Sequence, residues 1–322
     1  MSISNVAVLE PGYASYETEK GVLSDTNARV VPVAPSDDVI SSLRVLDPVG
    51  VMVRESAMTP AVIDSCPNLK VIVRYGVGVD NVDIPHATGR GIYVANVPDY
   101  GAEIEVSEHA VALYLSVQRR LLTRDAEVRQ GKWDIGQKAV IPGREKAVLG
   151  LVGGGRIGLE TARKFGAFGF SSTLVYDPFL EAEVARAAGV KLVSLEELCR
   201  SADVVSLHAP LTEATRHIID AEHLALMKRS TILVNVSRGG LVDETALAKA
   251  LREGRIFGAG IDVFEQEPVR ENHPLLTTPN TILSDHAAWY SERSVEVLQR
   301  NAAQEVRRVL TGQTPKNWVN QW

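Results

Sequence analysis

The sequence predicts an α/β protein with two doubly wound parallel-sheet domains, one of them inserted into the other. Short β-branched runs alternate with stretches of helical period along the chain, which is typical of a parallel sheet with crossover helices. The 322 residues exceed what one hydrophobic core usually organises, so two domains are expected. A glycine-rich turn after a strand lies near residue 150. This position indicates that the second domain is inserted into the first.

Valine-rich runs predict the strands of the first sheet. These predicted strands are 6–9, 30–33, 49–53 and 71–73. Helix-start signals lie between them, in the segments that begin at Asp37 and Pro60 and end near Leu46 and Cys66.

A second series of strands begins after the Pro142-Gly143 turn. The predicted members are 147–152, 173–176, 204–207, 232–236 and 257–261. One long helical stretch, from Glu103 to about Gln130, separates the two series. The last segment, 291–310, has the pattern of an amphipathic helix.

The strongest motif is the apolar strand 147–152 followed by Gly153-Gly154-Gly155-Arg156-Ile157-Gly158 and a helical pattern. In such a turn the first glycine permits the tight bend, the second lets backbone amides approach a pyrophosphate, and the third lets the helix pack on the strand. We therefore assign Gly153, Gly155, Arg156, Ile157 and Gly158 to a dinucleotide.

An acidic residue supports the same assignment and predicts which dinucleotide binds. Asp177 ends the next strand and lies 19 residues after Gly158 (177 − 158), close to the ~20 expected for the residue that binds the ribose 2′-hydroxyl. A carboxylate at this position repels a 2′-phosphate, so the sequence favours NAD over NADP.

These features predict two Rossmann-like domains in a nested arrangement. The NAD-binding domain is expected to span 103–286. It would be inserted into a flavodoxin-like substrate domain formed by 1–102 and 287–322, which the C-terminal helix completes.

Composition and charge argue against several other classes of protein. The net charge of −6 and the lack of a basic cluster disfavour nucleic acid and anionic membranes as partners. Cys66 and Cys199 have neither CxxC nor metal-ligand spacing, so reduced structural thiols and no metal are expected. Residues 1–11 lack a basic region, and no apolar run approaches the ~18 residues that span a bilayer. A cytoplasmic protein is therefore expected.

Polar side chains follow three apolar runs, within 233–240, 260–268 and 282–290. Ligands bind at the carboxyl ends of strands in open α/β sheets. Hydride transfer to a 2-keto acid needs a cation for the carboxylate and ketone, which an arginine fork supplies, and a proton donor such as histidine. A carboxylate on the far ring nitrogen would orient that imidazole. We assign Arg238, His286 and Glu267 to these roles. Each alone has a plainer structural explanation, so the hypothesis depends on their joint placement.

The segments resemble the D-isomer-specific 2-hydroxyacid dehydrogenase family over about 49–312. The motifs that carry the resemblance are 71–83 (VIVRYGVGVDNVD), 153–158, 206–212 (SLHAPLT), 235–243, 262–268 and His286. The resemblance implies that the loop Tyr75-Gly76-Val77-Gly78 supplies amides to the substrate carboxylate and that Asp262 holds the nicotinamide carboxamide. It also implies a set of residues that line the cofactor groove: His208, Pro210, Thr212, Val236 and Ser237.

Within the family, Arg74, 80–84 and above all 286–292 (HAAWYSE) are similar to the C-terminal binding protein co-repressors. This likeness implies that Trp289 walls the substrate pocket, although packing at a domain interface explains it equally well. It leaves open a second function, an NAD(H)-sensing scaffold on the same fold. Phosphite oxidation through the same side chains is a third.

The identity of the small D-2-hydroxy or 2-keto acid stays open at this point. Arg54 at a strand end is a candidate for binding a second anionic group, whereas an ion pair with Glu55 or another acid is the structural alternative. The helical stretch from Glu103 is expected to provide a subunit contact, and the resemblance implies a homodimer.

Overall fold

A computed structural model describes residues 3–9, 12–34, 38–133 and 140–322. The chain forms two compact units, Met1–Gly101 with Tyr290–Trp322, and Ala102–Trp289. The predicted domain crossings after residues 102 and 286 lie close to these bounds. Asp37, where a helix-start signal was placed, lies outside the described residues.

The first unit contains a five-stranded sheet in the order β2-β1-β3-β4-β5, with every pair parallel. This is the order of the flavodoxin-like fold, as predicted. Its strands are β1 (Ser4–Leu9), β2 (Ala28–Val33), β3 (Gly50–Val53), β4 (Val71–Arg74) and β5 (Tyr93–Ala95). The sequence predicted the first four and missed β5, which is only three residues long.

The described residues of the first unit form five α-helices. They are α1 (Glu17–Val22), α2 (Val39–Leu46), α3 (Pro60–Asp64), α4 (Ile84–Gly89) and α12 (Glu292–Leu310). Thr59 caps α3 through the Val62 amide, and Ser291 caps α12 in a capping box with Ser294. These caps explain why the helix-start signals placed both helices correctly.

The second unit contains a seven-stranded parallel sheet in the order β12-β11-β10-β9-β6-β7-β8. Its strands are β6 (Val148–Val152), β7 (Ser172–Tyr176), β8 (Lys191–Leu192), β9 (Val204–Leu207), β10 (Ile232–Asn235), β11 (Gly258–Ile261) and β12 (Thr281–Leu283). The strand order reverses at β6, which makes β6 the switch point where a Rossmann sheet binds its ligand.

The helices of the second unit are α5 (Ala102–Arg119), α6 (Leu121–Arg129), α7 (Arg156–Gly166), α8 (Ala182–Ala187), α9 (Leu195–Ser201), α10 (Ala221–Leu226) and α11 (Glu244–Arg252). The sequence predicted one helical stretch from Glu103 to about Gln130, but the structure breaks it at Arg120. This residue has a left-handed φ of 51° and separates α5 from α6. Helix α5 buries a face, whereas α6 buries none of its residues.

Each unit has its own hydrophobic core. The core of the first unit includes Ala7, Val51, Ile72 and Val94 from neighbouring strands. The core of the second includes Val205, Leu233 and Ala259 from β9, β10 and β11. Sheets covered on both faces require such nearly continuous apolar strands, which is why periodicity alone located most of them.

The C-terminal segment completes the β5 edge of the first sheet. The Asn320 side chain is buried, accepts the Val94 N–H at 2.8 Å and donates to the Ile92 carbonyl at 2.9 Å. Val319 N–H donates to the Val94 carbonyl, and Trp318 forms an antiparallel bridge to Ala95. The backbone groups of β5 are thus satisfied by the chain itself.

Candidate active site

The polar residues predicted for the second unit follow the carboxyl ends of parallel strands, which share one edge of the sheet. Consecutive strand ends are linked by backbone hydrogen bonds: His208 N–H to Val152 O, Asp262 N–H to Asn235 O, and Ser284 N–H to Ile261 O. The glycine turn and the loops that bear Arg238 and His286 therefore follow strands of one hydrogen-bonded sheet.

The glycine turn has the geometry that a pyrophosphate requires. Gly153 has a φ of +101°, and a Cβ on it would lie 2.6 Å from the Ala209 nitrogen. A Cβ on Gly158 would lie 2.2 Å from the Gly153 oxygen, so α7 packs directly on the turn. A Cβ on Gly155 would meet no protein atom within 4 Å. Only Gly155 thus faces open space, at the N-terminus of α7 where amide donors and the helix dipole favour an anion.

His208 lies beside the glycine turn and carries a buried ring nitrogen that has no partner. Its Nε2 lies 2.9 Å from Ser206 Oγ, whereas Nδ1 is buried without a hydrogen bond to any described residue. Burial lowers the pKa of His208 to about 3, so the imidazole is neutral. An unpaired buried polar atom against the turn fits a ligand that supplies the missing partner.

Asp177 immediately follows β7 and is partly exposed beside the turn. Its Oδ2 accepts the Gly154 N–H at 2.8 Å, and its Oδ1 accepts the Phe179 N–H at 2.8 Å. The two amides fix the carboxylate next to the glycine turn. It stands where the sequence placed the ribose-binding acid.

Arg238 lies in a loop that follows β10 and is held from two sides. Asn235 Nδ2 donates to the Arg238 carbonyl at 2.9 Å, and Ser237 Oγ donates to the Ala209 carbonyl at 2.6 Å. A Cβ on Gly239 would lie 1.9 Å from the Phe264 carbonyl carbon, so only glycine fits there. The Arg238 loop consequently packs backbone-to-backbone against the loop that bears Glu267.

The predicted pair of Glu267 and His286 forms in the structure. His286 Nδ1 lies 2.7 Å from Glu267 Oε2, and the Phe264 N–H holds the other carboxylate oxygen at 2.9 Å. The His286 N–H donates to the Asp262 carbonyl, and His286 adopts a left-handed φ of 57°. Since a carboxylate only accepts, Nδ1 carries the ring proton and Nε2 is left for proton exchange.

Asp262 is fully buried and acts on the loop that bears His286. Its carboxylate accepts from Ser284 Oγ at 2.6 Å and from the Ala287 and Ala288 amides at 3.0 Å, and His109 Nε2 lies 3.3 Å away. Burial tends to raise the pKa of this carboxyl, but these hydrogen bonds outweigh burial and hold the pKa below its usual value. Asp262 is thus an ionised anchor of the loop. Its predicted contact with nicotinamide stays a prediction.

The other residues that the sequence predicts for the cofactor groove follow strands of the same sheet. Val236 follows β10 and is buried. The Thr215 hydroxyl donates a hydrogen bond to the Pro210 carbonyl and accepts one from the Thr212 N–H. Trp289 is half-buried, immediately after the Asp262-bound loop. Its predicted place in the wall of the substrate pocket stays a prediction.

In the first unit, two of the four backbone amides of the predicted carboxylate-binding loop already donate to protein carbonyls. The Tyr75 N–H donates to Val53 O and the Gly76 N–H to Arg74 O, so neither amide is available to a substrate. The Tyr75 ring is buried, with its hydroxyl on Glu19, and does not shape an open pocket. The Val77 and Gly78 amides have no partner among the described residues, and their contact with a substrate carboxylate stays a prediction.

The surroundings of Arg54 include an aromatic ring, and its predicted contact with a second anionic group stays a prediction. Glu55 pairs with the buried Arg74 at 2.5 Å, and the Arg54 guanidinium lies 5.9 Å from the centroid of the Tyr13 ring. Sequence reasoning missed Tyr13, because a lone tyrosine between a strand and a helix carries no motif. It equally missed His109 and Ser284, which reach Asp262 from distant positions.

No described helix is long and apolar enough to cross a bilayer. Among the described residues, no group of three or more His, Cys, Asp or Glu side chains is arranged to hold a metal ion. Cys66 and Cys199 are buried and free, and burial raises the pKa of both thiols, that of Cys199 to about 12.

Fold and site together define an α/β protein of the dinucleotide-binding class. The segment that forms its Rossmann-like unit is inserted in the sequence of a flavodoxin-like unit. Comparison with known proteins agrees. Residues 111–288 match the family model described as D-isomer specific 2-hydroxyacid dehydrogenase, NAD binding domain. The chain belongs to this family.

Relatives of known description extend over most of the chain. The D-3-phosphoglycerate dehydrogenase of Methanocaldococcus jannaschii is 43% identical over 82% of this chain and 50% of its own length. The glyoxylate reductase of Korarchaeum cryptofilum is 42% identical over 81% of this chain and 79% of its own length. The chain thus spans about half the length of the phosphoglycerate dehydrogenase that it matches.

A solved structure agrees over the whole chain. The D-lactate dehydrogenase of Aquifex aeolicus, determined with NAD and lactic acid, has a TM-score of 0.87 at 28% identity and covers 99% of this chain and 100% of its own. The membership of the C-terminal binding protein subgroup has no support among these comparisons.

Proposed function

We propose that this protein is an NAD-dependent oxidoreductase that moves a hydride between nicotinamide and a small D-2-hydroxy or 2-keto acid. The observation that carries the proposal is the 2.7 Å contact between His286 Nδ1 and Glu267 Oε2, on the same sheet edge as the glycine turn. An imidazole held by a carboxylate is the donor and acceptor that this chemistry needs.

The residues of the turn fit the cofactor. Gly153, Gly155, Arg156, Ile157 and Gly158 would hold the pyrophosphate, and Asp177 the adenosine ribose. Bound NAD(H) supplies or accepts the hydride. The unpaired Nδ1 of His208 offers a polar contact in the groove, and we assign Pro210, Thr212, Val236, Ser237 and Asp262 to its walls.

The protein's own groups perform the remaining chemistry. In the reducing direction, Arg238 binds the substrate carboxylate and draws electron density from the ketone oxygen. The Nε2 of protonated His286 donates a proton to that oxygen as its carbon receives the hydride. Glu267 keeps the imidazole in one orientation and stabilises its charged form. Oxidation reverses each step.

Substrate selection is assigned to the first unit and to Trp289. Val77 and Gly78 offer two amides that no other described residue accepts from, and Arg54 is a candidate for a second anionic group. The relatives named phosphoglycerate dehydrogenase and glyoxylate reductase support substrates of both kinds. Relative rates with phosphohydroxypyruvate and glyoxylate, in wild type and Arg54→Ala, test the Arg54 assignment. An unchanged ratio of KM values contradicts it.

The direct test is NADH oxidation across glyoxylate, pyruvate, hydroxypyruvate, phosphohydroxypyruvate and longer keto acids. We expect turnover with at least one, and a fall in kcat of at least about 100-fold in His286→Ala. His223→Ala is the matched control, because His223 also contacts a carboxylate, Asp220, but belongs to helix α10. Full activity in His286→Ala contradicts the proposal.

A co-repressor-like scaffold is the alternative, supported by the likeness of 286–292 to the C-terminal binding proteins. The same experiment separates the two functions. Tight NADH binding without turnover on any keto acid, and without phosphite-driven NAD reduction, favours the scaffold.

We further propose a cytoplasmic homodimer. Helix α6 leaves Leu121, Leu122 and Val128 more than half exposed, and the following Trp133 is 81% exposed. Several large apolar side chains exposed along one short segment are typical of a protein interface. Light scattering should give about twice the 34.9 kDa chain mass. A species of single-chain mass contradicts the dimer.

A further inference from the structure

The turn that bears Glu267 accepts a second anchor, because a buried carboxylate outside the turn binds one of its backbone amides. Glu244, the first residue of α11, is 9% exposed and directs both oxygens to specific partners. Its Oε1 accepts the Glu265 N–H at 2.9 Å, and its Oε2 lies 2.8 Å from His273 Nε2. Since His273 Nδ1 accepts the Leu275 N–H, Nε2 carries the proton and donates to Glu244.

Two consecutive amides of the same turn therefore go to two different glutamates. The Phe264 N–H holds Glu267 at 2.9 Å, whereas the next N–H, that of Glu265, is held by Glu244. We refer to 264–267 as the acid-bearing turn. Gly239 packs closely against the peptide between Phe264 and Glu265, since a Cβ on it would lie 1.9 Å from the Phe264 carbonyl carbon and 2.1 Å from the Glu265 nitrogen.

Other contacts strengthen this anchor. His273 meets the Phe264 ring edge-on, with centroids 5.5 Å apart. The Glu265 side chain pairs with Arg216, and its Oε1 lies 3.3 Å from His217 Nε2. Glu244 is thus the buried charge at the centre of a cluster that supports the turn.

We propose that Glu244 is a positioning residue for the proposed reaction: it holds the Glu265 amide so that Glu267 stays on His286 Nδ1. The inference deepens the proposed function and rests on it for its kinetic consequence. Glu244 does not contact the reacting atoms, so its effect reaches catalysis through the geometry of the turn. Misplacement of a catalytic group by about 1 Å can cost roughly 100-fold in rate.

A pair of neutral variants of similar size tests the anchor. Glu244→Gln retains one oxygen that can accept the Glu265 N–H and gives up the acceptor that faces His273 Nε2, whereas Glu244→Met fills the space without an acceptor. We expect kcat to stay within about threefold of wild type in Glu244→Gln and to fall by about 10- to 100-fold in Glu244→Met. The KM for NADH should be unchanged in both variants. Glu222→Met, at the start of α10 and exposed, is the control.

The ¹⁵N shifts of His286 provide a readout that needs no turnover. In wild type and Glu244→Gln, the ring proton should reside on Nδ1, facing Glu267. In Glu244→Met this preference should be lost, as in Glu267→Ala. If wild type reduces no keto acid, the proposed function fails, while the shifts still decide the anchor. If wild type is active and Glu244→Met equals Glu244→Gln in both kcat and ¹⁵N shifts, the positioning role of Glu244 is contradicted while the proposed function stands.

A cavity of about 490 Å³ allows a complementary measurement if Glu244→Met does not fold. Glu244, Glu265 and His273 line this cavity. In Glu244→Ala, added formate can enter from the cavity and accept the Glu265 N–H. We expect formate, but not chloride at equal ionic strength, to restore the Nδ1 proton of His286. A variant that keeps this proton on Nδ1 without formate contradicts the proposal.

Discussion

Gly155 and Gly158 belong to the same turn but are required for different physical reasons. A Cβ on Gly158 would strike the Gly153 oxygen at 2.2 Å, whereas a Cβ on Gly155 would meet no protein atom within 4 Å. Gly155 also has an ordinary φ of −71°. Packing explains the glycine at 158, whereas no protein contact requires the glycine at 155, where the proposed function expects the dinucleotide.

Alanine at each position should separate these two roles. Gly155→Ala should leave Tm unchanged and weaken NADH binding at least about tenfold, because its methyl group occupies the space of the pyrophosphate. Gly158→Ala should destabilise by about 2–3 kcal/mol, or roughly 5–10 °C in Tm. Differential scanning fluorimetry and NADH fluorescence titration check both. Undiminished NADH affinity in Gly155→Ala contradicts the dinucleotide assignment.

His208 should make the stability of the cofactor-free protein sensitive to acid. Its folded pKa of about 3 lies below the ordinary 6.5, so between these values the unfolded state binds more protons. Stability is then fully present above about pH 6.5 and falls as pH drops toward 3, by at most about 1.4 kcal/mol per unit from this residue. Urea unfolding at pH 7 and pH 5 should show a smaller loss in His208→Gln. Equal losses in both proteins contradict a buried neutral His208.

The candidate site residues that directly follow a strand could be predicted from the sequence. Arg238, Glu267 and His286 each follow a recognisable strand, and parallel strands bring such positions together. The role of Glu244 was not predictable. A glutamate at a helix start usually serves the helix dipole, and its partners Glu265 and His273 lie 21 and 29 residues away. Nothing in local spacing links the three.

At the scale of elements, the C-terminal segment stabilises the edge strand β5 through one side chain. Asn320 is 5% exposed and also bonds Trp318 Nε1 and Thr88 Oγ1. Asn320→Ala leaves the Val94 N–H and Ile92 carbonyl unpaired, so we expect a loss of about 3 kcal/mol in the free energy of unfolding. Asn68→Ala, at an exposed asparagine bonded to Asp47, is the control and should change little. Urea unfolding followed by tryptophan fluorescence measures both. Equal stability of the two variants contradicts the edge-strand account.

Element boundaries show where local sequence does not determine structure. The break between α5 and α6 at Arg120 is absent from the sequence pattern, because neither glycine nor proline marks it. The residue adopts a left-handed φ, and its guanidinium lies 5.3 Å from the centroid of the Phe257 ring. A contact with a residue so far along the chain is tertiary. Strands β5 and β8 were missed for a simpler reason, because runs of two or three residues carry no period.

At the scale of the whole molecule, the nested order of the two sheets was predictable from one observation. The glycine turn begins after residue 150, although a complete series of strands precedes it and a long amphipathic helix follows the second sheet. Both sheet orders agree with the predicted classes.

The transfer of deuterium tests the central claim most directly. Protein, NADH deuterated at the transferable C4 position and an accepted 2-keto acid are incubated, and the product is analysed by mass spectrometry and chiral chromatography. The account predicts a D-2-hydroxy acid with one deuterium at C2, formed by wild type and lost in His286→Ala. Product without deuterium, an L product, or undiminished formation in His286→Ala would contradict it.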